Sequence, residues 1–464
     1  MSFTTGTMQE FTGPGGAGRG PRTVPGLVLL YAEEHDRLAP AFPLTRSRTV
    51  IGREAPCDLV LPVNAVSRIH AELDWERTGF VIRDLQSRNG VIVNGERVHA
   101  ARLEPLDEVR IGDAIFKLVV DDAHEYARYR LDGSTVSGAK RYTRDRSALV
   151  GGYRIDRIAA ELERIGPSEL GVLVLGPSGT GKEVVARELH RLSRRQGPFC
   201  AVNCAAIPAH LIESELFGWK RGAFSGAERD RPGLVRTAHR GTLLLDEIGD
   251  MPLDAQAKLL RVLQSKEVLP LGSTQAEHVD VRFVAATHQD LGRLQREGRF
   301  RQDLYARLNE YELRLPPLRE RKEDVYALVR AFLARHGRPD LSPSVPFMVA
   351  LLHHDWPYNV RELEAAVKRA LTLAEGAILE PELLPEAVRE AVSEYGRPAE
   401  GSSPESVAGE AVLTQPAPSE AELRALLESH RGNVAAVGRE LGKARMQIHR
   451  WMRRYGIDVD DYRR

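Results

Sequence analysis

The stretch VLVLGPSGTGKEVVARELHRL, residues 172–192, constrains this chain more than any other. VLVL is apolar without alternation, as in a strand buried on both faces, and VVARELHRL has the apolar spacing of a helix. A strand, a glycine loop and a helix in that order begin a parallel α/β sheet. Glycines let the loop turn its N–H groups inward at the helix N-terminus, which makes a cradle for phosphate, and a lysine there reaches the terminal phosphates. The loop comprises Gly176, Pro177, Ser178, Gly179, Thr180, Gly181, Lys182 and Glu183. Glu183 stands where Ser or Thr ordinarily touches Mg2+, so the match is imperfect by itself.

The strand GTLLLDEIGD, about sixty residues further on, ends in Asp246 and Glu247. Two carboxylates at the carboxyl end of a strand can divide the work, Asp246 holding Mg2+ through water and Glu247 polarising an attacking water. Together with the loop they predict nucleotide hydrolysis. VRFVAAT supplies another buried strand, and strands alternate with amphipathic helices over 148–388.

A chain of 464 residues is too long for a single core, and the text changes character along it. Residues 1–25, rich in Gly and Pro, are expected to form a flexible tail. Over 26–120, short alternating runs separated by turn residues predict an all-β sandwich. Residues 121–147 and 389–418 read as linkers, and 419–464 as short helices. The 65 basic and 65 acidic residues cancel, so any nucleic-acid face must be local. Three cysteines, Cys57, Cys200 and Cys204, are too few for a disulfide framework. No signal-peptide pattern and no run of 18 apolar residues is present, so a soluble, cytoplasmic protein with no membrane partner is expected.

The loops of the β region hold IGRE, VSRIH and DLQSRNGVIVNG. Arg53, Ser67 and Arg68 offer a fork suited to a phosphate dianion, and the amide of Asn89 can pair with a peptide backbone. The spacing of these motifs closely resembles the forkhead-associated (FHA) domain. That resemblance implies an eleven-strand sandwich binding phosphothreonine peptides, with Arg53 and Ser67 on the phosphate, Arg68 and Asn89 on the peptide, and His70 and Gly52 supporting the loops. Arg88 and Val91 stand where Thr is common, which leaves peptide preference open.

VNCAAI, ESELFG, GAFSGA, FRQDLYARLN, PPLRER and WPYNVRELE follow in the order found in sigma-54-dependent transcriptional activators. The resemblance covers 148–388 and implies an AAA+ P-loop ATPase with a helical lid, assembled as a ring, usually a hexamer, and hydrolysing ATP at subunit interfaces. It makes Arg301 and Arg307 trans-acting arginine fingers, Arg361 the sensor II arginine, Thr287 sensor I, and Asn203 the switch that restrains Glu247. It also makes Gly222, Ala223, Phe224, Ser225, Gly226 and Ala227 the loop that touches sigma-54, which explains an exposed Phe between glycines. The chain departs from the family pattern at Pro177 (usually Glu), Tyr358 (usually Gly), His288 (often Asn), Ser225 (usually Thr) and 219–221, WKR in place of HEK.

At the C-terminus, Ile448, Trp451, Met452 and Tyr455 form a core stripe, and residues 439–454 hold six Lys or Arg against one acid. A turn joining such helices suits a helix-turn-helix. The segment GNVAAVGRELG…RWMRRYGI resembles the Fis-type DNA-binding domain that ends these activators. Arg445, Gln447 and His449 are assigned to base edges, and Lys443, Arg450 and Arg453 to phosphates.

The expected whole is multidomain: a β-sandwich FHA sensor, an α/β AAA+ motor using ATP and Mg2+, and an all-α DNA anchor. It would bind double-stranded DNA at enhancer-like sites and remodel the sigma-54 RNA polymerase closed complex. Phosphothreonine on a partner, a neighbouring subunit or its own tail (Thr4, Thr5, Thr7, Thr12) would regulate it. Two other classes stay open: an AAA+ chaperone acting on other proteins, and a DNA-binding repressor or phosphoprotein scaffold with a vestigial ATPase.

Overall fold

The computed structural model describes residues 24–33, 38–76, 79–128, 148–225, 227–390, 392–393, 395–398, 418–441, 448, 451–452, 455–457 and 459–462. They form two compact units, one drawn from 1–137, 340–354 and 370–464, the other from 138–339 and 355–369.

Eleven strands build the sandwich of the first unit: β1 Gly26–Tyr31, β2 Ala41–Pro43, β3 Arg48–Gly52, β4 Leu59–Val60, β5 Ala71–Glu76, β6 Gly79–Asp84, β7 Val91–Val93, β8 Glu96–Val98, β9 Ala100–Leu103, β10 Glu108–Ile111 and β11 Ala114–Val119. One sheet runs β2-β1-β11-β10-β7-β8 and the other β4-β3-β5-β6-β9. Leu27, Leu29, Ile51, Leu73, Ile82, Val109 and Phe116 are buried between them. The period-2 pattern is what sends alternate side chains inward.

Two stretches expected as linkers carry structure. Ala123–Tyr126 forms a helical turn whose Ala123 and Tyr126 are buried, with Ala123 N–H donating to Val24 O (3.1 Å) and the Lys117 amine 5.1 Å from the Tyr126 ring centroid. Two apolar residues three apart suffice to dock the turn, although charged neighbours hide them in the text. Beyond the second unit's span, Arg397–Pro398 adds to the β8 edge of the sandwich.

The second unit centres on a parallel sheet. Its strands are β12 Val172–Leu175, β13 Phe199–Asn203, β14 Thr242–Asp246, β15 Arg282–Thr287 and β16 Tyr311–Arg314, in the order β13-β14-β15-β12-β16. Along β14, Leu243 and Leu245 face one apolar cluster and Leu244 the other. Both faces are thus covered, and each buried Leu contributes about 1.5–3 kcal/mol. The helices that matter to the site are α1 Tyr153–Ile165, α2 Lys182–Ser193, α3 Leu253–Ser265, α4 Gln302–Leu308, α5 Val345–His353 and α6 Asn359–Leu373; α5 belongs to the first unit.

At the C-terminus α7 Glu420–Ser429 starts with a reciprocal Ser419/Glu422 capping box, and α8 is Val434–Leu441. Leu423, Leu427, Val434, Val437, Ile448, Trp451 and Met452 share one core, and Tyr455 packs against it, so the expected stripe is a core stripe. Lys443, Arg445, Gln447, His449, Arg450 and Arg453 lie outside the described residues, as do Gly226 and the tail threonines. Among the described residues no helix is long and apolar enough to cross a membrane.

Candidate nucleotide and phosphopeptide sites

β12 delivers the glycine loop and α2 leaves it, with Lys182 as the first helical residue. Lys182 is 7% exposed; its Nζ donates to Gly176 O (3.0 Å) and lies 3.4 Å from Glu247 Oε1. The loop and the end of β14 therefore share one pocket. Thr180 Oγ1 donates to Pro177 O (2.9 Å), which tightens the turn. Gly179 has φ +77°, and a Cβ there would collide with Tyr358 O, so this close approach needs glycine.

The start of α6 caps the loop. Asn359 Nδ2 donates to Ser178 O (2.9 Å) and its Oδ1 accepts from Leu318 N–H (2.8 Å), while Arg361 Nη1 reaches Ser178 Oγ (3.4 Å) and Arg361 N–H donates to Gly179 O (3.3 Å). Tyr358, in the usual Gly position, leaves its side chain in solvent; the left-handed residues here are its neighbours Trp356 and Asn359. Below the loop the buried Arg321 donates to Thr180 O (2.9 Å) and pairs with Asp324 (3.1 Å). Arg321 and Asn359 lie within the motifs PPLRER and WPYNVRELE, but those motifs alone give them no role. A buried Arg that braces a loop carbonyl has no local sequence signature.

Asp246 Oδ1 accepts the Glu247 N–H (3.1 Å). Burial first, then the charge of Glu247, push the Asp246 carboxyl up. Glu247 sits at φ +51°, a strained conformation for a non-glycine residue and one found at functional sites. Burial would raise its pKa, but hydrogen bonds from His288 and the charges of Lys182 and His288 prevail and hold it at about 2. Cys204, nearby, has its thiol pushed up to about 12 by burial and then by Asp246, Asp250 and Glu247, so it is no nucleophile.

Asn203 Oδ1 accepts from the N–H groups of Ala205 (2.9 Å) and Ala206 (3.2 Å), an Asx turn, and it is His288 that holds Glu247 Oε2, with Nδ1 at 2.7 Å and its backbone N–H at 3.2 Å. Glu183 is exposed, and Arg187 one turn along α2 donates to its Oε1 through both Nε (3.0 Å) and Nη2 (2.6 Å), away from the loop, because its direction from the first helical turn points it to solvent. Thr287 is buried: its Oγ1 accepts from Gln289 N–H (3.0 Å) and its O from Gly176 N–H (3.2 Å), so it braces the loop.

Arg301 caps α4 and makes a bidentate pair with Asp303; Arg307, on α4, is 3.9 Å from Glu310. Both are exposed, and their recorded partners lie outside the Lys182–Glu247 cluster.

The His288–Glu247 pair has a defined pH window. The hydrogen bond to Glu247 raises the His288 pKa above its ordinary 6.5, so its stabilising effect is complete below 6.5 and lost as pH rises through the raised value. Glu247, lowered from 4.5, contributes fully above 4.5 and loses its contribution as pH falls through about 2. His288 is half exposed, so the pair is worth only ~0.5 kcal/mol. The melting-temperature deficit of His288→Ala is therefore expected to be small, largest between pH 4.5 and 6.5, and to shrink at alkaline pH. A deficit independent of pH would remove the charge pair from this account.

The described residues of the 222–227 loop are tied together by backbone hydrogen bonds. Gly222 N–H donates to Ala227 O (2.8 Å) and Ala227 N–H to Phe224 O (3.0 Å). Phe224 is 46% exposed, so only half its surface is free; its ring leans on Trp219, centroids 5.5 Å apart, and Arg231 stacks on the other aromatic at 5.1 Å. Ala227 is buried and Gly272 packs against Ala223, anchoring the base.

In the sandwich, Arg53 N–H donates to Ser67 O (3.0 Å), Ser67 Oγ accepts from Arg88 N–H (3.1 Å), and Asn89 Nδ2 donates to Ala65 O (2.7 Å). His70 ties these loops from beneath: Nδ1 accepts from Ser67 N–H (3.0 Å), and Nε2 lies 3.1 Å from Gly90 O. Burial lowers its pKa, which suits a neutral ring donating through Nε2. Gly52 allows the Arg68 backbone to pass where a Cβ would collide with Arg68 O. Arg53, Ser67, Arg68 and Asn89 are thus at one end of the sandwich, partly or fully exposed.

Fold and site together define a P-loop α/β unit and a β-sandwich of forkhead-associated type. Family models for the Sigma-54 interaction domain, the FHA domain and the AAA+ ATPase lid domain match residues 151–314, 49–112 and 319–400. The chain is 54% identical to the DNA-binding transcriptional regulator NtrC of Azospirillum brasilense over 46% of this chain and 45% of that protein. It is 38% identical to the transcriptional regulatory protein GlrR of Escherichia coli (strain K12), over 66% of this chain and 67% of GlrR. It also resembles a crystal structure of NtrX from Brucella abortus in complex with ATP, 31% identical, with 67% of this chain and 69% of that one covered at a TM-score of 0.48. The chain belongs to the sigma-54-dependent transcriptional regulators and carries an FHA domain. Its matched segment spans less than half the length of NtrC.

Proposed function

We propose that this chain is a DNA-bound activator that hydrolyses ATP to remodel the sigma-54 RNA polymerase closed complex, and that phosphothreonine recognition regulates it. The observation that carries the motor reading is the 3.4 Å approach of Lys182 to Glu247, which unites the glycine loop with the strand-end carboxylates. In this reading the loop amides and Lys182 bind the polyphosphate, Arg361 contacts it from α6, and Glu247 orients water. Arg301 and Arg307 act on the pocket of a neighbouring copy in a ring, a hexamer by family likeness.

Mg2+ fits as a cation held largely by phosphate and water. Among the described residues no group of three or more His, Cys, Asp or Glu could hold a metal alone, and the half-buried Asp246 beside Glu247 is a carboxylate pair that a cation would relieve. When bound, it would neutralise charge on the phosphates. The C-terminal helices, by their likeness to Fis-type domains, serve as the DNA anchor with Lys443, Arg445, Gln447, His449, Arg450 and Arg453 as contacts. Cytoplasmic location follows from that work.

Purified protein with sigma-54 polymerase, ATP and a cognate promoter is expected to yield open complexes; failure in every nucleotide state would refute the reading. For the sensor, Arg53→Ala is expected to weaken phosphothreonine-peptide binding at least about 10-fold, since a charge-assisted hydrogen bond to phosphate is worth ~1.5–3 kcal/mol. Equal affinity in calorimetry would discard that site.

A further inference from the structure

The sandwich does not end at β8. Residues Arg397–Pro398, β17, lie parallel to it with Arg397 opposite Glu96 and Pro398 opposite Arg97, and Gly396 N–H donates to Gly95 O (2.7 Å). The preceding Tyr395 is half-buried on β10: its hydroxyl donates to Glu108 Oε1 (3.0 Å) and the Arg110 guanidinium lies 5.8 Å from its ring centroid. His353, the last residue of α5, stacks edge-on against Tyr395 at 5.1 Å and lies 4.0 Å from Glu108. Its ring fills the space beside Gly95. On the same unit Tyr31 OH donates to Pro343 O (3.3 Å).

Glu108 makes this contact specific. It is a sandwich residue only 2% exposed, and a buried carboxylate is costly without partners. Here Tyr395 supplies a donor and His353 a neighbour, both from residues matched by the lid model rather than by the FHA model. An edge strand also offers free backbone groups that an extended segment satisfies, the β-augmentation mode of peptide recognition.

We propose that the FHA sandwich is a latch on the lid: residues 395–398 are an intramolecular strand ligand of the β8 edge, anchored by Tyr395 between Glu108 and Arg110. The surface is distinct from the Arg53–Ser67 loops, yet Arg97 of β8 packs against Gly90, next to Asn89. The other end of the latch is six residues from the P-loop contact along the chain, since His353 precedes Asn359 by that number. A sensor gripping the lid at this place has a short covalent route to the nucleotide loop. That regulatory consequence rests on the proposed motor and phosphopeptide readings; the latch does not.

The test uses the full-length chain. In the E96C/R397C variant the two substituted positions are register partners, about 4.7–4.9 Å apart, within disulfide range. Mild oxidation is expected to join them within one chain in high yield, mapped by peptide mass, whereas E104C/R397C, at a position after β9 of the other sheet, is expected to stay reduced. In a second measurement, Tyr395→Ala is expected to speed hydrogen exchange at the Gly396 amide by about 10-fold or more, with Tyr395→Phe, which keeps the ring, in between. Arg53→Ala is expected to abolish phosphopeptide binding and leave the cross-link intact, so loss of the sensor reading and loss of the latch are told apart. No cross-link above the control pair, a cross-link found only between two chains, or unchanged exchange in Tyr395→Ala would overturn the latch.

Discussion

Arg307→Ala is expected to reduce ATP turnover by about 10³-fold or more while leaving nucleotide affinity within a few-fold of wild type. Arg307 is exposed on α4, 3.9 Å from Glu310, so removing it empties no cavity and breaks no strong pair. On the proposed ring reading, its cost comes from an interaction with the pocket of a neighbouring copy. Arg301, tied to Asp303 by a bidentate pair, is expected to behave the same way once that pair opens. Mixing is the discriminating measurement. A Lys182→Ala chain retains the arginines and an Arg307→Ala chain retains the pocket, so mixed rings should recover part of the activity that each alone lacks. Absence of recovery, with both variants still assembling, would place Arg307 in cis and remove the shared-pocket mechanism.

The second large effect concerns the 222–227 turn. Phe224→Ala is expected to keep ATP turnover within about two-fold and to abolish open-complex formation. Phe224 is 46% exposed and its ring leans on Trp219, so truncation removes little buried surface. An aromatic held half in water is a patch awaiting a partner, and such anchors dominate binding energy at interfaces. Displacing the described residues of the turn, tied by Gly222 N–H to Ala227 O, would carry the Phe224 ring with them. Normal promoter opening by Phe224→Ala would exclude the turn as the contact with sigma-54.

Much of this was legible in the text. The order strand, glycine loop, helix and the DE-ending strand required a parallel sheet with Lys182 near Glu247, because loop and strand end meet at the same carboxyl edge of such a sheet. The motifs IGRE, VSRIH and SRNG likewise implied converging loops, and the hydrogen bonds from Arg53 N–H to Ser67 O and from Asn89 Nδ2 to Ala65 O provide the convergence.

What could not be read locally is who holds whom. Asn203 and His288 both lie near strand ends, and which one restrains Glu247 depends on ångström-scale side-chain placement across β13, β14 and β15. Glu183 belongs to the glycine loop by position, and which group it meets, here Arg187, is set by the first turn of α2. Residues 395–398 carry no strand signal of their own; they pair with the β8 edge, and Tyr395 beside them donates to Glu108.

The sequence by itself determined the modules, the chemistry of the phosphate loop and the family, since each rests on residue types at short spacings that dictate local backbone. Tertiary structure alone decided the partner of Glu247 and the strand added at β8. These depend on groups brought together from distant points in the chain, where hydrogen bonds are won or lost over less than an ångström.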